Sequence, residues 1–434
     1  LTDKWSDNDY WGGRQPFTHI WHKLITEWIK RDRNRPSIIL WSLGNELQIR
    51  EGWAGFEGTN DWGITTYNIF NQLVKRWDNT RLTTVAMFPA RAGAITRHDK
   101  EFNDYLVPPE LACATEVASF NYQSDKYDAY LKYKPDLILF QSEAETSNLL
   151  QPYYNMDRKR TVGMAYWGSA EYWGESNKWP KKGWNYSFFD HTMRPYPQAY
   201  LIKSAFMPEI PEVHIGVVDA AGAESVSWND VIVGRMALNE CWNHTPGSRQ
   251  SLFTFTNAHS VELLVNGQSM GVQENDTTQA NLRNMIYWKD VPYGNGGSVV
   301  AIARDKSGKE VARHHIETAG KAVALRIEAE TPADWKADGM DLQYINVTAI
   351  DKKGRPVWDY NKPLTLQMEG AAWLVALDNG DHYTDELFHG ITSKRMYQGR
   401  MQIILRSDQE AGNVTVKISS AGLKGTLRLK TIKE

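Results

Sequence analysis

An α/β domain built on parallel strands, followed by two antiparallel β-sandwiches, is the architecture this sequence predicts. Three observations carry that reading. Up to about residue 207, short apolar runs alternate with segments of helical periodicity, the pattern of strands wrapped by helices. From about residue 208 the period changes to two, as in "SVELLV" at 260–265, the signature of strands with one buried face. At Lys321 the period-two pattern restarts, after enough short strands to complete one sandwich. The 434 residues are also too many for one ordinary core. The expected domains are therefore 1–207, 208–321 and 322–434.

The first helix is expected at 17–32, where Phe17, Ile20, Trp21, Leu24, Ile25 and Trp28 recur at steps of three and four. Pro16 opens it, and Asn34, Arg35 and Pro36 close it. Residues 38–41 then read as a short, fully apolar strand, as in a parallel sheet buried on both faces. A second helix at 61–77 aligns Ile69, Phe70, Leu73, Val74 and Trp77 on one face. Strands follow at 82–87, 117–122, 137–140 and 162–167, with helices at 126–133 and 197–206. In the second domain, strands are expected at 251–256, 260–265, 298–303 and 311–317. "VNGQ" at 265–268 marks a tight hairpin turn, and "DKSGKE" at 305–310 marks another. In the third, "LRIEAE", "LQYINVTAI", "LTLQM", "MQIILR" and "NVTVKISS" read as strands, with turns at "DKKGRP" and "DNGD".

Composition excludes some classes of function. The net charge is -3 and basic residues are scattered, so nothing favours nucleic acid or an anionic membrane as partner. No apolar stretch approaches the roughly 18 residues of a membrane helix. The two cysteines, Cys113 and Cys241, form neither a metal spacing nor a disulfide framework. Of the 18 tryptophans, 12 precede residue 207. Tryptophan stacks on flat apolar faces, including those of sugars, although core packing is the simpler reading for most of them. Leu1 is not an initiator methionine and no signal-peptide pattern precedes it. The chain is therefore expected to be processed or incomplete.

Polar residues cluster where the first five strands end. Asn45 and Glu46 close "WSLGNE", Asn121 and Tyr122 close "FNY", Glu143 follows "LILFQS", and Trp167 follows "GMAY". In a (β/α)8 barrel the active site lies at that face of the sheet, and closing the barrel takes eight strands. Five strands would leave edges and apolar surface open, so a partner segment carrying three more is expected. Glu46 and Glu143 are costly to bury unless paired or used. Two carboxylates in different surroundings divide the work of glycoside cleavage, one attacking and one donating a proton. In retaining enzymes the pair stands about 5 to 5.5 Å apart. A glutamate after a strand also fits a helix cap or an arginine partner, so position alone leaves the role open.

"RDRNRPSIILWSLGNE" resembles the acid/base signature of glycoside hydrolase family 2, which includes β-galactosidases, β-glucuronidases and β-mannosidases. Arg35 stands where the family usually has histidine. The resemblance implies that Glu46 is the general acid/base and that Asn45 binds the sugar 2-hydroxyl. "LILFQSEAETS" resembles the family's nucleophile strand, implying Glu143 as nucleophile. Its order departs from the family's at 144–146, which leaves Glu145 as an alternative. "FNYQ" resembles the sixth-strand motif, with Asn121 beside Tyr122, the tyrosine on the nucleophile. "GMAYWGSAEYWGES" resembles the eighth strand and its loop, with Trp167 flooring the sugar site. "SVELLVNGQSMG" with "ETAGK", and "ADGMDLQYINVTAIDKKGRPV" with "ALDNGD", resemble two modules common in Bacteroidetes members.

The implied fold is the C-terminal part of a (β/α)8 TIM barrel, strands 4–8, followed by two immunoglobulin-like β-sandwich domains. "LTDKW" resembles the segment just after the third strand. The implied partner is an N-terminal half carrying a jelly roll, a sandwich and barrel strands 1–3. The implied activity is that of a retaining exo-β-glycosidase acting on a carbohydrate, with β-galactoside ahead of β-glucuronide. A non-catalytic carbohydrate-binding protein and an inactive fragment are the other readings. No metal or organic cofactor is expected, a homo-oligomer is compatible with the sequence, and the resemblance implies a periplasmic or secreted location.

Overall fold

The computed structural model describes residues 17–46, 63–87, 108–144, 149–176, 179–219, 224–228 and 231–433. Two compact units divide the chain: Leu1–Trp167 with Trp228–Val231, and Gly168–Ser227 with Ile232–Glu434. The division falls before the expected 207/208 boundary.

The first unit is built on strands β1 (Leu40–Asn45), β2 (Leu82–Met87), β3 (Val117–Asn121), β4 (Leu139–Ala144) and β5 (Thr161–Tyr166). They hydrogen-bond in the order β1-β2-β3-β4-β5, and every pair is parallel. Helix α1 (Phe17–Asp32) matches its expected span, whereas α2 (Ile64–Trp77) starts three residues late. Phe17, Ile25 and Ile29 of α1 pack with Phe70 and Val74 of α2 on Trp41, Leu43, Val85, Phe120 and Leu139 of the sheet. The buried stripe of α1 is turned from the expected one, because Leu24 is 38% exposed and Ile29 is buried instead. Strand β1 also corrects the sequence reading. Ile39 is 85% exposed, and pairing begins only where Leu40 meets Leu82. The ladder, not the apolar run, defines the strand, and it carries pairing through Asn45. In the same way β4 begins at Leu139 and runs through Glu143.

One buried carboxylate ties this unit together. Asp78, at the C-terminal end of α2, accepts from Trp41 Nε1 at 2.9 Å, Arg81 Nη1 at 2.7 Å, and the Thr80 amide and hydroxyl at 2.9 and 2.6 Å. Arg81 also donates to the Ile38 and Arg35 carbonyls, so it pins the turn that leads from α1 into β1.

In the second unit two pairs of four-stranded sheets each enclose one core. The first pair is Leu238–Asn239, Val213–Val218, Arg249–Thr256 and Met285–Pro292, with Gln268–Glu274, Ser260–Val265, Ser298–Arg304 and Glu310–Glu317. Ile215, Leu252 and Trp288 of one sheet meet Val261, Leu263 and Ala301 of the other. The second pair is Ala324–Ala329, Leu342–Ile350, Arg400–Ser407 and Ala372–Asp378, with Ser393–Arg395, Pro363–Gly370, Asn413–Ser420 and Leu423–Lys430. Here Ile345, Ile403 and Leu377 meet Leu364, Val416 and Ile418. Strands such as Gln268–Glu274, exposed along its whole length, escaped the sequence reading because they carry no buried apolar face. The "VNGQ" turn has the expected form: Asn266 and Gly267 both take positive φ, 51° and 81°, and join Val265 directly to Gln268.

The described residues of 168–207 fold with these sheets. Helix Pro197–Phe206 packs on Val213–Val218 and Arg249–Thr256. His191 Nε2 lies 2.9 Å from Asp378 Oδ1, and Arg194 Nη2 donates to Gln398 Oε1 at 2.9 Å.

His314, on Glu310–Glu317, accepts the Ile215 amide proton on Nδ1 at 3.0 Å and stacks on His214 with centroids 3.9 Å apart. Burial, with His214 as a second cause, lowers its pKa to about 4. The unfolded chain takes up this proton near 6.5, so between about 6.5 and 4 the unfolded state binds more protons and stability rises with pH. The whole window is worth about 3 kcal/mol. Urea unfolding of this unit at pH 7 and pH 4.5 is expected to show a larger acid loss in the wild type than in His314→Gln. Equal losses would contradict this assignment.

Candidate active site

The ends of β1, β3 and β4 supply the site. Glu46 is the first residue past β1; its amide donates to the Ala86 carbonyl at 2.7 Å, and its φ is 47°. Tyr122 stands in the same place past β3; its amide donates to the Glu143 carbonyl at 2.8 Å, and its φ is 60°. Bulky residues rarely hold this left-handed conformation, and such strain concentrates at functional sites. The ladder is irregular at the same level, between Ser42 and Asn45, between Phe120 and Asn121, and between Gln141 and Ala144. Bulges of this kind re-aim side chains beside active sites.

Glu46 is only 6% exposed. Asn121, fully buried, donates from Nδ2 to Glu46 Oε1 at 3.2 Å and to Asn45 Oδ1 at 2.9 Å. Its Oδ1 accepts the Ser142 hydroxyl at 2.8 Å, which fixes which way the amide points. Tyr122 Oη donates to Glu143 Oε2 at 2.7 Å. Consecutive residues of one strand end thus hold the two carboxylates, each by a different donor. Asn121 and Glu143 are also register partners across β3 and β4.

The structure therefore brings Asn45, Glu46 and Asn121 into one hydrogen-bonded group, with Tyr122 and Glu143 beside it. Trp167 continues the β5 ladder through its amide, which donates to the Ala144 carbonyl at 2.9 Å, and its side chain is half-buried. Glu145 lies outside the described residues, as do residues 1–16 with "LTDKW". The sequence reading missed Ser142, the residue before the glutamate, whose value lies in reaching Asn121 across the sheet. A serine beside a glutamate carries no local signal of that reach. Among the described residues, side chains grouped as three metal ligands occur at Glu171, His191 and His382 and at His214, Glu240 and His314, all in the second unit.

A family model described as "Glycosyl hydrolases family 2, TIM barrel domain" matches residues 11–165. Another, "Glycoside hydrolase family 2 C-terminal domain 5", matches residues 325–427, and a domain of unknown function matches residues 247–312. A Formosa agariphila protein named "Putative beta-glucuronidase" is 54% identical over 474 residues, which cover 100% of this chain and 42% of that protein. A β-galactosidase of Bacteroides ovatus is 24% identical over 455 residues, 93% of this chain and 50% of that protein. The chain spans about half the length of these relatives, or less. The solved structure of a family 2 member from Bacteroides cellulosilyticus shares the fold, with a TM-score of 0.80 at 24% identity over 96% of this chain and 52% of that one. With a family 2 barrel model over the five-stranded sheet and a family 2 C-terminal model over the last pair of sheets, the chain belongs to glycoside hydrolase family 2.

Proposed function

We propose that the protein is a retaining, exo-acting β-glycosidase in which Glu143 attacks and Glu46 carries the proton. The observation behind this reading is the pair of neighbours Asn121 and Tyr122, which hold Glu46 and Glu143 respectively. In the first step a Glu143 oxygen bonds to the anomeric carbon while the glycosidic C–O bond breaks, and Glu46 gives its proton to the departing oxygen. In the second, Glu46 takes a proton from water, and the water oxygen displaces Glu143 with net retention. Asn45 is assigned to the sugar 2-hydroxyl and Trp167 to the floor of the sugar site. In this reading the five strands are the later strands of a (β/α)8 barrel, completed by an N-terminal segment. The two pairs of sheets are immunoglobulin-like sandwiches, and the enzyme works outside the cytoplasm.

β-Galactoside is the first substrate of this reading. β-Glucuronide is the second, favoured by the name of the 54% identical relative. Aryl β-galactoside, β-glucuronide, β-glucoside and β-mannoside, each followed by NMR of the first-formed anomer, test the proposal. One of the first two is expected to turn over at least about tenfold faster than the rest, the scale set by a sugar-specific polar contact. Its product should be the β-anomer. An α-anomer would remove the nucleophile role of Glu143, and binding without turnover would favour a carbohydrate-binding protein.

A further inference from the structure

We propose that Glu171, His191 and His382 form a binding site for one divalent transition-metal cation of the zinc class. The cluster lies in the second unit. His382 Nε2 is 3.0 Å from Glu171 Oε2, and His191 Nδ1 is 3.6 Å from the same oxygen. A tetrahedral zinc with bonds near 2.0–2.2 Å sets its ligand atoms about 3.3 Å apart, and the two observed spacings bracket that value. All three ligand atoms lie within 4.8 Å of one another.

His382 supplies the independent observation. Its side chain is 3% exposed, yet neither ring nitrogen makes a hydrogen bond. Nε2 is close enough to Glu171 but out of line for one. A buried imidazole with idle nitrogens costs free energy, and a cation between Nε2 and the carboxylate would remove the share that Nε2 carries.

The surroundings are those of a metal site. A ligating histidine usually hands its second N–H to a carboxylate or carbonyl. His191 directs Nε2 at Asp378 Oδ1, 2.9 Å away, which leaves Nδ1 to face the cluster. Asp378 is held in turn by the Gly380 amide at 3.0 Å. Tyr196 Oη donates to the second oxygen of Glu171 at 2.9 Å, orienting the carboxylate. Glu171 and His382 also line a cavity of about 190 Å³, which gives an entry path and room for a water as fourth ligand. Two histidines, one glutamate and an open position make a known zinc donor set.

The other histidine cluster lacks this character. His214 Nε2 meets Glu240 Oε1 at 2.7 Å, and His314 Nδ1 already accepts a backbone amide, so its lone pairs are spent internally. The rival occupant of the proposed site is a proton. Burial lowers the His191 pKa, but Asp378 and Glu171 outweigh it and raise it to about 9, so an imidazolium is the alternative to a metal.

The test is metal uptake by the whole protein. It is stripped with a chelator, dialysed against micromolar zinc, and its zinc measured by mass spectrometry alongside the melting temperature. One equivalent per chain is expected, with a rise of several degrees. In His382→Gln and in Glu171→Gln, zinc affinity should fall at least tenfold, whereas His214→Gln should leave uptake unchanged. Cobalt(II) is a second readout: visible bands of tetrahedral intensity are expected in the wild type and absent from His382→Gln. No retained zinc in the wild type would overturn the proposal and leave the imidazolium in place. So would uptake that survives both substitutions, which would mark it as surface binding.

Discussion

Glu143→Gln is expected to lower kcat on the preferred aryl β-glycoside by at least about 10³-fold, with substrate binding kept within a few-fold. Losing one member of a catalytic unit typically costs this much or more. The amide keeps the shape of the side chain and can still meet the Tyr122 hydroxyl, but it cannot form the glycosyl ester. A Glu143→Gly variant makes the test sharper. Azide added to it should enter the vacated space, attack the anomeric carbon in place of the carboxylate, and yield a glycosyl azide of inverted configuration. Glu145→Gln is expected to keep turnover within about tenfold. If that variant is the dead one and Glu143→Gln is active, the nucleophile belongs at Glu145. Glu46→Gln is expected to lose about 10²–10⁴-fold, and less on substrates whose leaving group needs no proton.

Asp78→Ala is expected to destabilise the first unit by about 3–5 kcal/mol, the usual cost of removing one partner from a buried ion pair. Burial disfavours the Asp78 charge, but donors from Thr80, Trp41 and Arg81 outweigh it and hold the carboxyl well below the ordinary range. The folded value is depressed, so this stability is complete above about pH 4, the unfolded value, and is lost as pH falls further. Hydrogen exchange of the β1 and β2 amides should report the loss directly. Exchange within about 1 kcal/mol of the wild type would show the network to be dispensable. Trp41, T-stacked on Trp28 at 5.0 Å, would lose the partner of its indole N–H.

The sequence predicted the alternation of strands and helices because each apolar run also had a core to fill. It misplaced the ends of β1 and β4 for the opposite reason. Those ends are polar, Asn45 and Glu143 among them, and only pairing across the sheet extends the strands that far. The five polar residues at the strand ends were legible through family resemblance together with their position. Ser142, the register shifts and the left-handed Glu46 and Tyr122 were not, because they depend on contacts made across the sheet. Glu171, His191 and His382 escaped notice because no spacing rule joins residues so far apart in the chain.

Asn121 and Tyr122 share one peptide bond, and between them they hold both carboxylates. Thermal displacement of that strand end carries both holders in the same direction at the same moment. Such motion is common to the pair and largely cancels in the separation between them, which is the quantity that the proposed double displacement depends on. Holders on two independent loops would add their fluctuations instead. Mounting both holders on adjacent residues would filter out much of the jitter in the spacing of the two carboxylates.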